Sequence, residues 1–123
     1  MRIDTAGNRE MMAIADAGRN RVPWRRLVRE TMQIAGPYAE FLQHTERSWA
    51  SVTFSGARHK VRLCFTGLEA MDAADDFIAA LPDHEFTIPG WLAADAAIIS
   101  VDQQALPEPK ATVEVEVLLL EDA

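Results

Sequence analysis

Hydrophobic residues recur at two periods along this chain, and each period predicts a type of secondary structure. Over residues 8–17 and 23–35 they recur every three or four positions, which predicts two helices. The second helix is the better defined, because Pro23 suits a first helical turn and one face collects the apolar side chains. That face comprises Trp24, Leu27, Val28, Thr31, Ile34 and Ala35.

The N-terminal segment is expected to contain one further helix. Gly36 and Pro37 interrupt the helix at 23–35, and Pro37 is placed to begin another over 37–45. Tyr38, Phe41 and Leu42 would form its buried stripe. Residues 1–7 are expected to be a disordered tail.

The pattern then changes to strict alternation, which is typical of strands. Residues 49–54 and 59–65 alternate apolar with polar positions, and the glycine-containing segment 55–58 lies between them. Two alternating runs around a short loop predict a β-hairpin.

A helix is predicted over 68–81, ended by Pro82. Thr66 and Glu69 have the spacing of a capping box. The apolar stripe is Leu68, Met71, Ala74, Phe77, Ile78 and Leu81, and the opposite face carries Glu69, Asp72, Asp75 and Asp76.

Two further strands, about 93–103 and 111–120, complete the pattern. The order predicts an α+β fold: N-terminal helices followed by β-β-α-β-β, with a four-stranded, mainly antiparallel sheet packed against helices. The expected core includes Leu63, Phe65, Met71, Phe77, Ile78, Val115 and Val117.

Composition is consistent with one domain spanning 1–123, since 49% of the 123 residues are hydrophobic and 25% are charged. The single cysteine, Cys64, fits a reducing compartment, and residues 1–10 lack the apolar core of a signal peptide. We therefore expect a cytoplasmic protein. Arginine outnumbers lysine ten to two, which is associated with bacterial proteins from GC-rich genomes.

Charge divides unevenly along the chain. Residues 1–62 hold eleven basic and six acidic side chains, a net charge of +5. Residues 63–123 hold one basic and thirteen acidic side chains, a net charge of −12, so the whole chain carries −7. Either the two halves pack with their charges facing each other, or one of them forms an interaction surface.

No residue cluster has the spacing of a known metal, nucleotide or catalytic motif, so we expect no metal and no cofactor. His44, His59 and His84 lack the i, i+4 spacing of a helical zinc pair. In an extended Asp83-His84-Glu85 segment the imidazole would point away from both carboxylates. Asp72, Asp75 and Asp76 are better explained as a solvated helix face. Cys64 falls on the opposite strand face from His59.

The first hairpin supplies the candidate ligand-binding residues: Trp49, Arg58, His59, Lys60 and Arg62. If its second strand neighbours strand 111–120, Lys60 and Arg62 would pair with Glu114 and Glu116 across the sheet. Leu118 and Leu120 share that face and have no evident cover in the sequence pattern, which predicts an interface.

These features favour a small non-enzymatic domain that self-associates as a homodimer and binds any small molecule between sheet and helices. The alternative is a small enzyme that uses His59 or Cys64 in a pocket between sheet and helix. A third hypothesis is nucleic-acid binding through the arginines of 19–29, which the net negative charge opposes. We expect neither nucleic acid nor membrane as a partner.

Overall fold

The computed structural model of the protein describes residues 23–122. The elements in chain order are α1 (Pro23–Ala35), β1 (Ala39–Ala50), β2 (Ser55–Thr66), α2 (Leu68–Ala80), a 3₁₀ turn (Leu81–Asp83), β3 (Trp91–Gln104) and β4 (Lys110–Glu121). This arrangement confirms the predicted α+β fold with its β-β-α-β-β order. The predicted tail at 1–7 and helix at 8–17 lie outside the described residues.

The four strands form one antiparallel sheet in the order β1-β2-β4-β3. The two hairpins therefore lie side by side, with β2 and β4 in the centre. The edge strands are irregular: the β1 register shifts between Phe41 and Gln43, and the β3 register shifts at two places. Bulges of this kind are common on edges, where they hinder pairing with other chains.

The predicted helix at 37–45 is wrong, because residues 37–38 form a turn and residues 39–45 form the first half of β1. Gly36, at φ +86°, ends α1 in the left-handed region, and its N–H donates to the Met32 carbonyl at 3.0 Å. The following residues pair with β2 from Ala39 opposite Phe65 onwards. The i, i+3, i+4 spacing of Tyr38, Phe41 and Leu42 imitates a helix, but the backbone hydrogen bonds of β2 outweigh that local signal.

The first hairpin exists, but its turn lies four residues earlier than predicted. Residues 51–54 form the turn, in which the Ser51 N–H donates to the Phe54 carbonyl at 2.7 Å and the Phe54 N–H donates to Ser51 Oγ at 3.1 Å. The predicted strand over 49–54 was therefore mostly turn. Gly56 belongs to β2 instead, where an added Cβ would collide with the backbone carbonyl of Leu119.

Both helices pack on the same face of the sheet, which we call the covered face. Phe65 from β2 meets Phe77 from α2 with ring centroids 6.0 Å apart. Five of the seven predicted core residues are fully buried, and Met71 and Ile78 are half-buried against them. The buried core includes Leu27, Ala35, Val61, Leu63, Phe65, Ala74, Phe77, Leu81, Val113, Val115, Val117 and Leu119.

The start of α2 differs from the prediction. Gly67 is the N-cap, with φ +106°, and no side chain caps the helix, so the expected Thr66–Glu69 capping box is wrong. Instead the Gly67 carbonyl accepts the Ala70 N–H at 3.1 Å, and the Gly67 N–H donates to the Pro109 carbonyl at 2.8 Å. Leu68, predicted to be part of the apolar stripe, is 77% exposed.

The other side of the sheet, which we call the open face, carries charged and polar side chains. Among residues 23–122 no helix packs on it, since α1 and α2 both lie on the covered face. None of the described helices is long and apolar enough to cross a lipid bilayer.

Candidate functional site

A cluster of three potential metal ligands lies on the covered face, beside the first turn of α1. His44 and Glu46 are two residues apart on β1, so strand alternation places both side chains on one face. The β1–β2 register places His59 directly opposite Glu46. Strand geometry and hairpin register together bring His44, Glu46 and His59 into one group.

The ligand atoms of this group lie within 4.8 Å of one another. His44 Nε2 is 2.9 Å from His59 Nδ1, a hydrogen bond in which one imidazole donates and the other accepts. Glu46 Oε1 is 3.8 Å from His59 Nδ1 and 4.0 Å from His44 Nε2. His59 is 2% exposed, whereas the Glu46 side chain is 26% exposed. Solvent therefore reaches the cluster at the Glu46 side chain, whereas His59 is buried.

Trp24, in the first turn of α1, covers the cluster. Its indole stacks on the His44 imidazole with centroids 4.8 Å apart and planes 14° apart. The His44 and His59 rings lie edge to edge, with centroids 5.1 Å apart and planes 26° apart, as their 2.9 Å hydrogen bond requires. The Arg25 guanidinium lies 5.5 Å from the Trp24 ring centroid, a cation–π distance. The stacking orients the His44 ring, and this orientation determines where its Nε2 points.

Two imidazoles and one carboxylate are a ligand set used for zinc and for other first-row transition metals. In a tetrahedral zinc site with metal–ligand bonds of about 2.0–2.1 Å, neighbouring ligand atoms are about 3.3 Å apart. The observed separation of 2.9 Å between the nitrogens is slightly shorter, and those of 3.8 and 4.0 Å to the Glu46 oxygen are slightly longer. Side-chain shifts below about 1 Å would bring all three to one ion, with the shared proton displaced.

The five predicted ligand-binding residues do not meet at one place. His59 lies on the covered face, within the cluster. The register places Arg58, Lys60 and Arg62, the alternate residues of β2, on the open face, together with Trp49 opposite Gly56. The sheet therefore separates His59 from the other four.

The predicted cross-strand pairing on the open face is largely confirmed. Arg62 lies opposite Glu114, with Nε 3.8 Å from the carboxylate, and Lys60 lies opposite Glu116. The Glu116 carboxylate is also 3.7 Å from the Arg58 guanidinium and 3.9 Å from that of Arg47. Exposed pairs of this kind contribute roughly 0–1 kcal/mol each.

Cys64 and His84 each have their own partner. Cys64 is buried on the open-face side of β2, with Sγ 3.7 Å from Glu40 Oε1. His84 Nε2 lies 3.0 Å from Glu30 Oε1 on α1, and the Thr87 N–H donates to the same carboxylate at 3.1 Å. Within residues 23–122, the group of His44, Glu46 and His59 is the only one with metal-binding spacing.

Sequence reasoning identified His59 but missed His44 and Glu46. Both residues fell in or beside the segment expected to be helical, where a spacing of two places side chains on different faces. The signal was the His-x-Glu spacing, which becomes informative once 39–50 is recognised as a strand paired with the one that carries His59.

Comparisons with known proteins do not add to this picture. Family models, curated proteins and solved structures were each searched without a match to this chain.

Proposed function

We propose that the protein binds a divalent transition-metal ion between α1 and the sheet, through His44, Glu46 and His59. The observation that carries this proposal is the convergence of three ligand atoms from two adjacent strands within 4.8 Å. The site belongs to the layer between sheet and helices in which a small ligand was expected, and it includes His59. Its role is binding, and no catalytic step is assigned to it.

The donor set limits which ions would be held. Imidazole nitrogen suits zinc, copper, nickel and iron, whereas calcium and magnesium prefer sites built from oxygen. Two nitrogen donors and one oxygen donor therefore favour Zn²⁺, Cu²⁺ or Ni²⁺ over Ca²⁺ or Mg²⁺. Copper should bind most tightly among the divalent ions of this row, following the usual order of stabilities.

Three protein ligands would leave at least one coordination position for water or an external ligand. That position would lie on the Glu46 side, since His59 is buried and the Glu46 side chain is a quarter exposed. Trp24 stacks on the His44 ring, and this contact holds the ligand ring in place. A small anion could therefore reach a bound ion beside Glu46.

The alternative function is a small enzyme that uses His59 as an acid–base group without any metal. The 2.9 Å contact with His44, and Glu46 beside it, supply the proton partners that such chemistry needs. Cys64 would act apart from it, because the sheet separates the thiol from His59. A metal titration separates the two functions, since only the first requires an ion.

The test is isothermal titration calorimetry of the purified full chain with Zn²⁺, Ni²⁺, Ca²⁺ and Mg²⁺. We expect one Zn²⁺ per chain, saturable binding of Ni²⁺ at the same site, and no saturable heat with Ca²⁺ or Mg²⁺. His44→Gln and Glu46→Gln should each weaken Zn²⁺ binding at least about tenfold, because each removes or weakens one ligand. His84→Gln is the matched control, because His84 lies with Glu30 and its loss should leave binding unchanged.

Two further readouts distinguish this site from adventitious binding. Zn²⁺ affinity should fall as the pH is lowered from about 7.5 to about 5.5, because a proton competes for the same imidazole nitrogens. Cu²⁺ should quench tryptophan fluorescence in the wild type and much less in Trp24→Phe. Equal Zn²⁺ affinity in the wild type, His44→Gln and Glu46→Gln, with all three folded by circular dichroism, would overturn the proposal.

A further inference from the structure

Charged side chains on the open face are segregated by strand, with mainly basic side chains on two neighbouring strands and mainly acidic ones on the other two. The β1 and β2 columns present Arg47, Arg58, Lys60 and Arg62, with one acidic residue, Glu40. The β4 and β3 columns present Glu114, Glu116, Asp95 and Asp102, with one basic residue, Lys110. One half of the face is therefore mainly basic and the other half mainly acidic.

Strand register arranges these side chains in rows. One row holds Arg47, Arg58, Leu118 and Asp95, and the next holds Thr45, Lys60, Glu116 and Ala97. The row beyond these holds Gln43, Arg62, Glu114 and Ser100, and the one after it holds Glu40, Cys64, Thr112 and Asp102. At the other end lie Trp49, Gly56, Leu120 and Leu92. The charged zone is thus bordered at one end by an apolar row.

We propose that a second copy of this chain docks on the open face, about a two-fold axis parallel to the strands. Two open faces can pack against each other about a two-fold axis that runs either along the strands or across them. An axis across the strands places β2 over β2, so that arginine and lysine face each other. An axis along the strands places β1 over β3 and β2 over β4, so that Arg47, Lys60 and Arg62 face Asp95, Glu116 and Glu114 of the partner subunit. Like charges then meet where Glu40 faces Asp102 of the partner subunit, which is one such pair against three of opposite charge.

In this arrangement each row of one subunit lies over the same row of the partner subunit. Arg47 lies opposite Asp95 of the partner subunit, and Lys60 lies opposite Glu116 of the partner subunit. At the apolar end, Trp49 lies opposite the partner's Leu92. Leu92 is half exposed and the Arg47 side chain is 69% exposed, so both are available for contact.

The size of the face suits a stable dimer. Four strands about 4.8 Å apart and twelve residues long give a surface of about 19 Å by 40 Å. That is close to the roughly 800 Å² per partner of a standard interface. The self-complementary charge pattern, rather than exposed apolar area, argues for a second copy: Leu118 and Leu120 are only 7% and 6% exposed within one chain. The expectation that these leucines lack cover is therefore wrong.

The test is charge reversal followed by mass measurement with analytical ultracentrifugation. The wild type should sediment as a dimer of twice the 13.7 kDa chain mass. Arg47→Glu and Asp95→Arg should each raise the dimer dissociation constant at least about tenfold, because each places like charges together across the interface. The double variant should recover dimerisation, since the pair is restored with its signs exchanged.

Recovery in the double variant is specific to contact between chains. Arg47 and Asp95 of one chain are three strands apart, about 14 Å, so they cannot form a direct pair within it. Asp76→Arg, on the exposed side of α2, is a control that makes the same charge change elsewhere. A monomeric wild type, or a dimer that neither single variant weakens, would overturn the proposal. The inference does not depend on metal binding and is tested without metal.

Discussion

Residues of the same type have very different roles in this protein, according to what surrounds them. His44 and His59 contact each other at 2.9 Å beneath Trp24, whereas His84 contacts a carboxylate on α1 at 3.0 Å. The leucines divide in the same way: Leu81 is buried in the core, while Leu68 at the start of α2 is exposed. Amino-acid composition does not distinguish these residues, whereas their contribution to the free energy of unfolding depends on their positions in the structure.

Phe77 provides a direct test of the core at this scale. It is 1% exposed and packs against Phe65, so Phe77→Ala should lower the free energy of unfolding by about 3–5 kcal/mol. Leu68→Ala, at the exposed start of the same helix, should change it by less than about 0.5 kcal/mol. Chemical denaturation monitored by circular dichroism measures both. Equal effects from the two variants would show that the side of α2 that carries Phe77 is not the side that packs on the sheet.

At the scale of elements, local sequence patterns and long-range contacts compete, and β1 shows which one prevails. Its first residues have helical spacing of apolar side chains, yet eleven of the twelve residues of β1 pair with β2. The segment 84–88, which lies between the 3₁₀ turn and β3, is also held in position by a distant element. Its His84 side chain and the Thr87 N–H both contact Glu30, which lies more than fifty residues earlier on α1.

Glu30 should therefore anchor the segment 84–88 to α1. In Glu30→Ala the Thr87 N–H loses its acceptor, so we expect faster hydrogen exchange at Thr87 and a loss of stability of about 1 kcal/mol. Gln33→Ala, at an exposed position on the same helix, is the control and should leave the Thr87 exchange rate unchanged. Hydrogen exchange followed by NMR measures this rate. An unchanged rate in Glu30→Ala would mean that the segment is held by its apolar contacts alone.

At the scale of the whole molecule, the topology explains the uneven charge. The order β1-β2-β4-β3 places the basic N-terminal hairpin beside the acidic C-terminal hairpin. Cross-strand pairs such as Arg62 with Glu114 and Arg58 with Glu116 follow from this arrangement. The halves of opposite charge thus face each other within one sheet, which was the first of the two explanations that the sequence offered.

The net charge of the protein also predicts whether it binds nucleic acid. With a net charge of −7, the protein should not bind duplex DNA or RNA at physiological salt. Fluorescence anisotropy with a labelled duplex measures this directly. Salt-sensitive binding that Arg25→Glu with Arg26→Glu abolishes would show instead that the local positive charge of α1 outweighs the net charge.

The sequence by itself determined the α+β class, the helices predicted at 23–35 and 68–81, the two C-terminal strands and most of the core. These depend on hydrophobic periodicity within short windows, which is a local property of the chain. The tertiary structure alone decided that 39–50 is a strand and that the first turn lies at 51–54. It also decided that His44, Glu46 and His59 converge. Each of these depends on hydrogen bonds between β1 and β2, and such bonds form between residues that are distant along the chain. A short segment of sequence contains only the donor or only the acceptor of each of those bonds. Its pattern therefore shows the local propensity but not the strand pairing that outweighs it.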